Sequence, residues 1–145
     1  MYGFLIFILL ALLWCCDSTK NTISEEEFFK AWSGTWVNSE TPGSFWFPQK
    51  MVHHPDRRFG MHVYLTNTIP YCTHTFILLD QWTDSEGNIW FSAKTTCPVG
   101  TDIFYEYGAI RDSGNTIEFI SREGTPIEKW EPEGEYYNYC IYYRE

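Results

Sequence analysis

The chain has 145 residues, 44% of them hydrophobic and 19% aromatic, and a net charge of −9. That charge balance excludes a nucleic-acid-binding surface, which needs clustered Lys and Arg to displace counterions. The length suits one domain with one core, and seven Trp with ten Tyr exceed what such a core needs, so rings are left to line a cavity, face a partner or stack on a sheet.

The first element in chain order is not part of a fold. Gly3 to Trp14 is almost wholly apolar, and even Tyr2 to Cys16 falls short of the roughly 20 residues that span a bilayer, so the run reads as a signal-peptide core. No Lys or Arg precedes it and no A-x-A-like site follows. It ends in Leu13-Trp14-Cys15-Cys16, which resembles the lipobox of bacterial lipoproteins. That resemblance implies cleavage before, and lipidation of, Cys16, with Cys15 as the alternative because it follows the bulky Trp14. An ordinary secretory signal with incidental cysteines is the competing reading. Residues 17–23 are polar and aperiodic and serve as a short tether, leaving 24–145 as the folded domain of a protein exported to a cell-envelope membrane or, without the lipid, released in soluble form.

Ser24-Glu25-Glu26-Glu27 fits a capping box with an acidic first turn, and Phe28, Phe29 and Trp32 then share one side at helical spacing. This predicts a short helix that lids one mouth of a barrel. Strands follow at about Thr35–Asn38, Phe45–Val52, Gly60–Asn67, Thr73–Trp82, Asn88–Thr96, Ile103–Arg111, Thr116–Arg122, Ile127–Glu131 and Tyr136–Arg144, a spacing typical of sandwiches and barrels. Asp84-Ser85-Glu86-Gly87 and Asp112-Ser113-Gly114-Asn115 read as hairpin turns. No long interior helix or internal repeat interrupts the pattern, so a parallel α/β fold is excluded and the fold class is all-β, an antiparallel up-and-down barrel with a short N-terminal helix.

With Thr83 and Asn88 flanking the first turn, Leu78 faces Ala93, Phe76 faces Thr95 and His74 faces Cys97. Ile89, Phe91 and Ala93 then share an inner face with Trp82, Asp80 and Leu78, and Trp90 points out. In the last strand Tyr137, Tyr139, Ile141 and Tyr143 alternate with Tyr136, Asn138, Cys140 and Tyr142, and either set fits the interior. Of the cysteines beyond Cys16, Cys72 lies diagonally from Cys97, too far in an ideal ladder for a disulfide. A bulge provoked by Pro70 or Pro98 brings them opposite, giving a Cys72–Cys97 bridge with Cys140 as a thiol. Three buried thiols are the alternative.

Chemical motifs are sparse. His53-His54-Pro55-Asp56 gathers two imidazoles and a carboxylate, but adjacent strand residues point to opposite faces, and His62 and His74 have no ligand-like spacing, so no metal or other cofactor is expected. No nucleophile elbow or phosphate loop is present, and no catalytic residue is assigned. Phe45, Trp46, Phe47 and Pro48 suit either a packed corner or a portal.

Gly34-Thr35-Trp36 behind the helix, answered by Arg144 at the far end of the chain, resembles the first and last strands of the calycin superfamily, the lipocalins and fatty-acid-binding proteins. In that family G-x-W opens the barrel and an arginine from the last strand lies across the indole. The resemblance spans Ser24 to Glu145. It implies a barrel closed by Gly34, Trp36 and Arg144 that binds a small apolar ligand against Leu78, Asp80, Trp82, Ile89, Phe91 and Ala93. The alternative is a barrel filled by its own side chains and acting as a surface interaction or inhibitor module, its protein partner unknown, and an isomerase or hydrolase on the same scaffold ranks third.

The anchor is testable first. Cys16→Ser is expected to release the protein into the soluble fraction or block its processing, as read by membrane fractionation and mass spectrometry. Normal processing and membrane retention of both Cys16→Ser and Cys15→Ser would refute lipidation.

Overall fold

Ser24 takes extended dihedrals and stops the preceding chain, while its hydroxyl accepts a hydrogen bond from Glu27 N (3.2 Å) and its own N–H donates to Glu27 Oε2 (2.9 Å). The reciprocal pair satisfies two donors that the first turn cannot, and helix α1 runs Glu25–Trp32. Its Phe28, Phe29 and Trp32 are buried together, as their spacing predicts. The computed structural model describes residues 20–38, 50–54, 59–63, 72–96, 102–134 and 138–145.

The chain before and after α1 is strand: β1 (Asn21–Thr22), β2 (Gly34–Val37), β3 (Lys50–His53), β4 (Phe59–Val63), β5 (Cys72–Thr83), β6 (Ile89–Thr96), β7 (Ile103–Arg111), β8 (Thr116–Glu123) and β9 (Asn138–Arg144). From β2 to β9 each strand pairs antiparallel with the next, and β2 pairs with β9 through Trp36↔Arg144 and Val37↔Tyr143. The pairings therefore run round a complete ring, and the sheet is barrel-like and all-β. Strand β4 pairs only the first part of β5 (Phe59↔Thr75 to His62↔Cys72). The free edge further along is taken by β1, which pairs Asn21↔Thr83 and Thr22↔Trp82 within the expected tether.

One expected strand is absent. Ile127–Glu131 is irregular chain, because both edges of β8 are already paired, to β7 and β9, and a closed ring offers no further place. Prolines 126 and 132 bracket the segment. It lies instead over the outer face, held by Arg122, whose Nη2 donates to Pro126 O (2.6 Å), with Ile127 buried.

The ring closes on Arg144. Its guanidinium sits 4.2 Å from the Trp36 ring centroid and donates from Nη2 to Ala31 O (2.8 Å), from Nη1 to Ser33 O (2.8 Å) and from Nε to Gly114 O (2.7 Å). Those contacts complete the C-terminus of α1, whose last carbonyls have no intrahelical partner. Phe29 O accepts from Ser33 N, Lys30 O from Ser33 Oγ (2.9 Å), and Trp32 O from Trp36 Nε1 (2.9 Å). Gly34 is forced twice: its φ is +125°, and a Cβ there would stand 2.7 Å from Arg144 Nη1.

Arg144→Ala is expected to destabilise by about 3–5 kcal/mol, since it strands carbonyls that held charge-assisted bonds, and Gly34→Ala by roughly 1–3 kcal/mol through backbone strain and the collision. Because the collision needs the arginine, the double variant should cost less than the sum. Urea unfolding midpoints of the four proteins check this, and strict additivity would refute the shared contact.

Candidate functional site

The strands carry the chain alternately toward and away from α1. Gly34, His53, Thr83, Ile89, Arg111, Thr116 and Arg144 lie at the helix end; Val37, Lys50, Thr96, Ile103, Glu123 and Asn138 lie at the other. The helix half of the interior is packed. Phe28, Trp36, Phe91, Ile117 and Tyr142 are fully buried there, Trp32 stacks on Phe76 at 5.0 Å, and Phe28 meets Phe91 at 5.6 Å. Gly108 belongs to this layer, opposite Phe91 and Phe119, and a Cβ would fall 2.5 Å from that of Phe119.

The half away from the helix is different in kind. Register puts Thr95, Phe104, Glu106, Ser121, Asn138 and Cys140 on the inner face, yet Phe104 and Glu106 are only half-buried and Asn138 is exposed. Their exposure shows that solvent reaches the inner face in this half. Glu106 stands between Ala93 on β6 and Ser121 on β8. Loss of hydration raises its pKa from 4.5 to about 7. The Thr95 hydroxyl acts in the opposite sense but from outside hydrogen-bonding geometry, its Oγ1 being buried without a partner. Cys140 is a free, buried thiol whose pKa is pushed far up by burial and then by the Glu106 charge.

Two histidines also face inward. Burial lowers His53 to about 3, with the neighbouring charges of His54 and His74 adding to the effect, and lowers His74 to about 4. The His53 ring lies 4.6 Å from Trp32 whereas His54 is exposed, so the adjacent pair divides between faces as strand geometry requires. Among the described residues no three His, Cys, Asp or Glu side chains gather closely enough for a metal ion.

Of the expected ligand wall, Phe91 and Ala93 are fully buried inside and Leu78 and Ile89 pack against the same core. Asp80 and Trp82 are not inside. The expected register holds for Phe76↔Thr95 and Leu78↔Ala93, but an irregularity between Leu78 and Asp80 shifts the rest to Asp80↔Ser92, Gln81↔Phe91 and Trp82↔Trp90. One extra residue reverses every later side chain: Gln81 turns in, where its Nε2 donates to Ile23 O (3.1 Å), and Asp80 is exposed. Trp82 stacks outside on Trp90 at 6.3 Å, in an array with Tyr107, Trp130 and Tyr139. The Cys72–Cys97 pairing involves Cys97, and the portal reading involves Phe45, Trp46, Phe47 and Pro48; these lie outside the described residues, as do Cys15 and Cys16. The sequence reading missed Glu106. Carrying the inner face of β6 across to Phe104, Glu106, Gly108 and Ile110 would have found it.

Searches against protein-family models, curated proteins and solved structures return no match. Among the described residues no helix is long and apolar enough to cross a membrane.

The titrations predict a pH dependence. His53 and His74 have depressed folded values, so the unfolded chain takes up protons the folded one refuses, and stability falls as pH drops below about 6.5. Glu106 has a raised value, so its contribution is present below 4.5 and lost as pH rises through about 7. Glu106→Gln is therefore expected to stabilise at pH 8 by roughly 2 kcal/mol, discounted for solvent contact, and to be near neutral at pH 4. Denaturation at the two pH values checks it; equal effects at both would refute the buried carboxyl.

Proposed function

We propose that the protein is an exported, lipid-anchored, lipocalin-like carrier that binds a small, largely apolar ligand in the half of the barrel away from α1, without catalysis. The observation that carries the reading is the half-burial of Phe104 and Glu106 on the inner face. Solvent reaches the interior there, above a floor of fully packed rings. The calycin resemblance is supported by the cation over the indole, by the glycine that the arginine requires, and by an eight-strand meander with a helix at one end. Small barrels of this strand number hold one small ligand or fill themselves with side chains.

One observation favours the second outcome in part. The helix half is filled, and the outer face carries its own aromatic layer, in which Tyr139 is 40% exposed and Leu79, on the opposite wall, 53%. A filled barrel that recognises a protein partner would use such surfaces.

An apolar fluorescent dye is expected to bind the full chain saturably at one site. Ala93→Phe, inside, should weaken that binding by roughly tenfold through overpacking, whereas Ser92→Phe, outside, should leave it unchanged. Dye binding that is absent, or equally sensitive to both substitutions, would leave the interaction-module reading in its place.

A further inference from the structure

One acidic side chain stands within the inner face, and its partners across the ladder are small. Glu106 is flanked by Ala93 and Ser121, its inward neighbours on its own strand are Phe104 and Gly108, and a second inward acid, Glu123 opposite Phe104, is exposed at the far end. The rings of Phe91 and Phe119 lie one step nearer the helix, with Phe119 filling the place beside Gly108, and Ala93 and Ser121 leave the carboxyl no large side chain directly across the ladder. Among the described residues the ion pairs are Lys50–Glu145, Arg111–Glu118 and Lys129–Glu131, and none involves Glu106. An ionised carboxyl taken from water without a partner is costly. The inward groups around it on β6, β8 and β9 are Thr95, Ser121 and Cys140, with Glu123 further out on β8, and none is a cation; burial holds the Cys140 thiol neutral.

The outer aromatic array leaves no comparable demand. Trp90 Nε1 donates to Asp84 Oδ2 (2.8 Å), the Arg111 guanidinium lies 4.8 Å from the Trp90 centroid while its Nε donates to Glu118 Oε2 (2.6 Å), and Tyr139 donates to Glu118 Oε1. Among the described residues Glu106 has no cation to pair with.

We infer that Glu106 anchors a protonated amine on a small ligand with a compact apolar or aromatic body, an inference that rests on the carrier reading above. A cation close to the carboxylate supplies the missing partner, and its bond is charge-assisted on both sides. The raised pKa accords with this, since an ammonium beside the carboxyl would restore the ionised form. A carboxylate ligand would be repelled. A neutral alcohol would gain a hydrogen bond but no ion pair. A metal ion lacks further ligands among the described residues.

The test uses the full chain at pH 8 and three soluble probes of one shape: 2-phenylethylamine, 2-phenylethanol and 3-phenylpropanoate, titrated by calorimetry or ligand-observed NMR. The amine is expected to bind roughly tenfold to a hundredfold more tightly than the alcohol, and the carboxylate most weakly. In Glu106→Gln the amine should fall to the affinity of the alcohol, which itself should not change. Glu106→Asp keeps the charge and should keep a preference for the amine, and loss of that preference would overturn the assignment even if the Gln variant failed to fold. Equal affinities for amine and alcohol in the native protein, or a preference that survives Glu106→Gln, would overturn it while the carrier reading stands. Failure of all three probes and of the apolar dye would remove both.

Discussion

The structure depends on one guanidinium. Arg144 ends the last strand, yet its bonds reach Ala31 and Ser33 at the end of α1 and Gly114 in the β7–β8 turn, while its planar face covers Trp36 in the first long strand. A helix that runs straight into a strand must expose its last carbonyls to something other than water if it is to plug a barrel. Arginine can answer several carbonyls at once because its donors are fixed in a planar fork. The same residue therefore ties the two ends of the meander, seats the plug and orients the indole, whose own N–H takes the Trp32 carbonyl. Gly34 follows as a geometric consequence, being the residue that lets the guanidinium approach.

A closed ring has two further consequences. It has no spare edge inside the circuit, so the segment after β8 cannot add a strand and becomes a strap across the outside. There Ile127 is buried, and Ile120, which points outward by register, is fully buried as well. The wall thus has an inner core and a second apolar layer on its outer surface, which accounts for much of the aromatic surplus. The interior has graded polarity: rings fill the helix half, and small residues, hydroxyls, a thiol and a carboxyl occupy the rest. Burial on this scale forces the histidines to stay neutral and works against the ionisation of Glu106. A floor of rings beneath an accessible carboxyl is the chemistry on which the functional proposals rest.

The sequence by itself determined the local elements. Helix α1, the two hairpin turns and all of the expected strands that lie among the described residues except Ile127–Glu131 follow from interactions within a few residues, whereas β1 was not foreseen and the meeting of Trp36 with Arg144 was implied by the calycin resemblance. The alternation of β6 and the first half of β5 was legible for the same reason, since side-chain period is a property of the strand alone. What only the tertiary structure decided lies where that local rule is broken or where two strands must be counted together. The extra residue at Leu79 carries no turn signal, yet it moves Asp80 and Trp82 to the outside and Gln81 to the inside. Tyr139, Cys140, Ile141 and Tyr142 could face either way until β8 fixed their register through Phe119↔Cys140. Glu106 was one of nineteen acids in the chain, and nothing beside it in sequence marks it. Its position is set by hydrogen bonds from β6 and β8, so its character as an inward-facing, half-buried carboxyl exists only once those strands are paired.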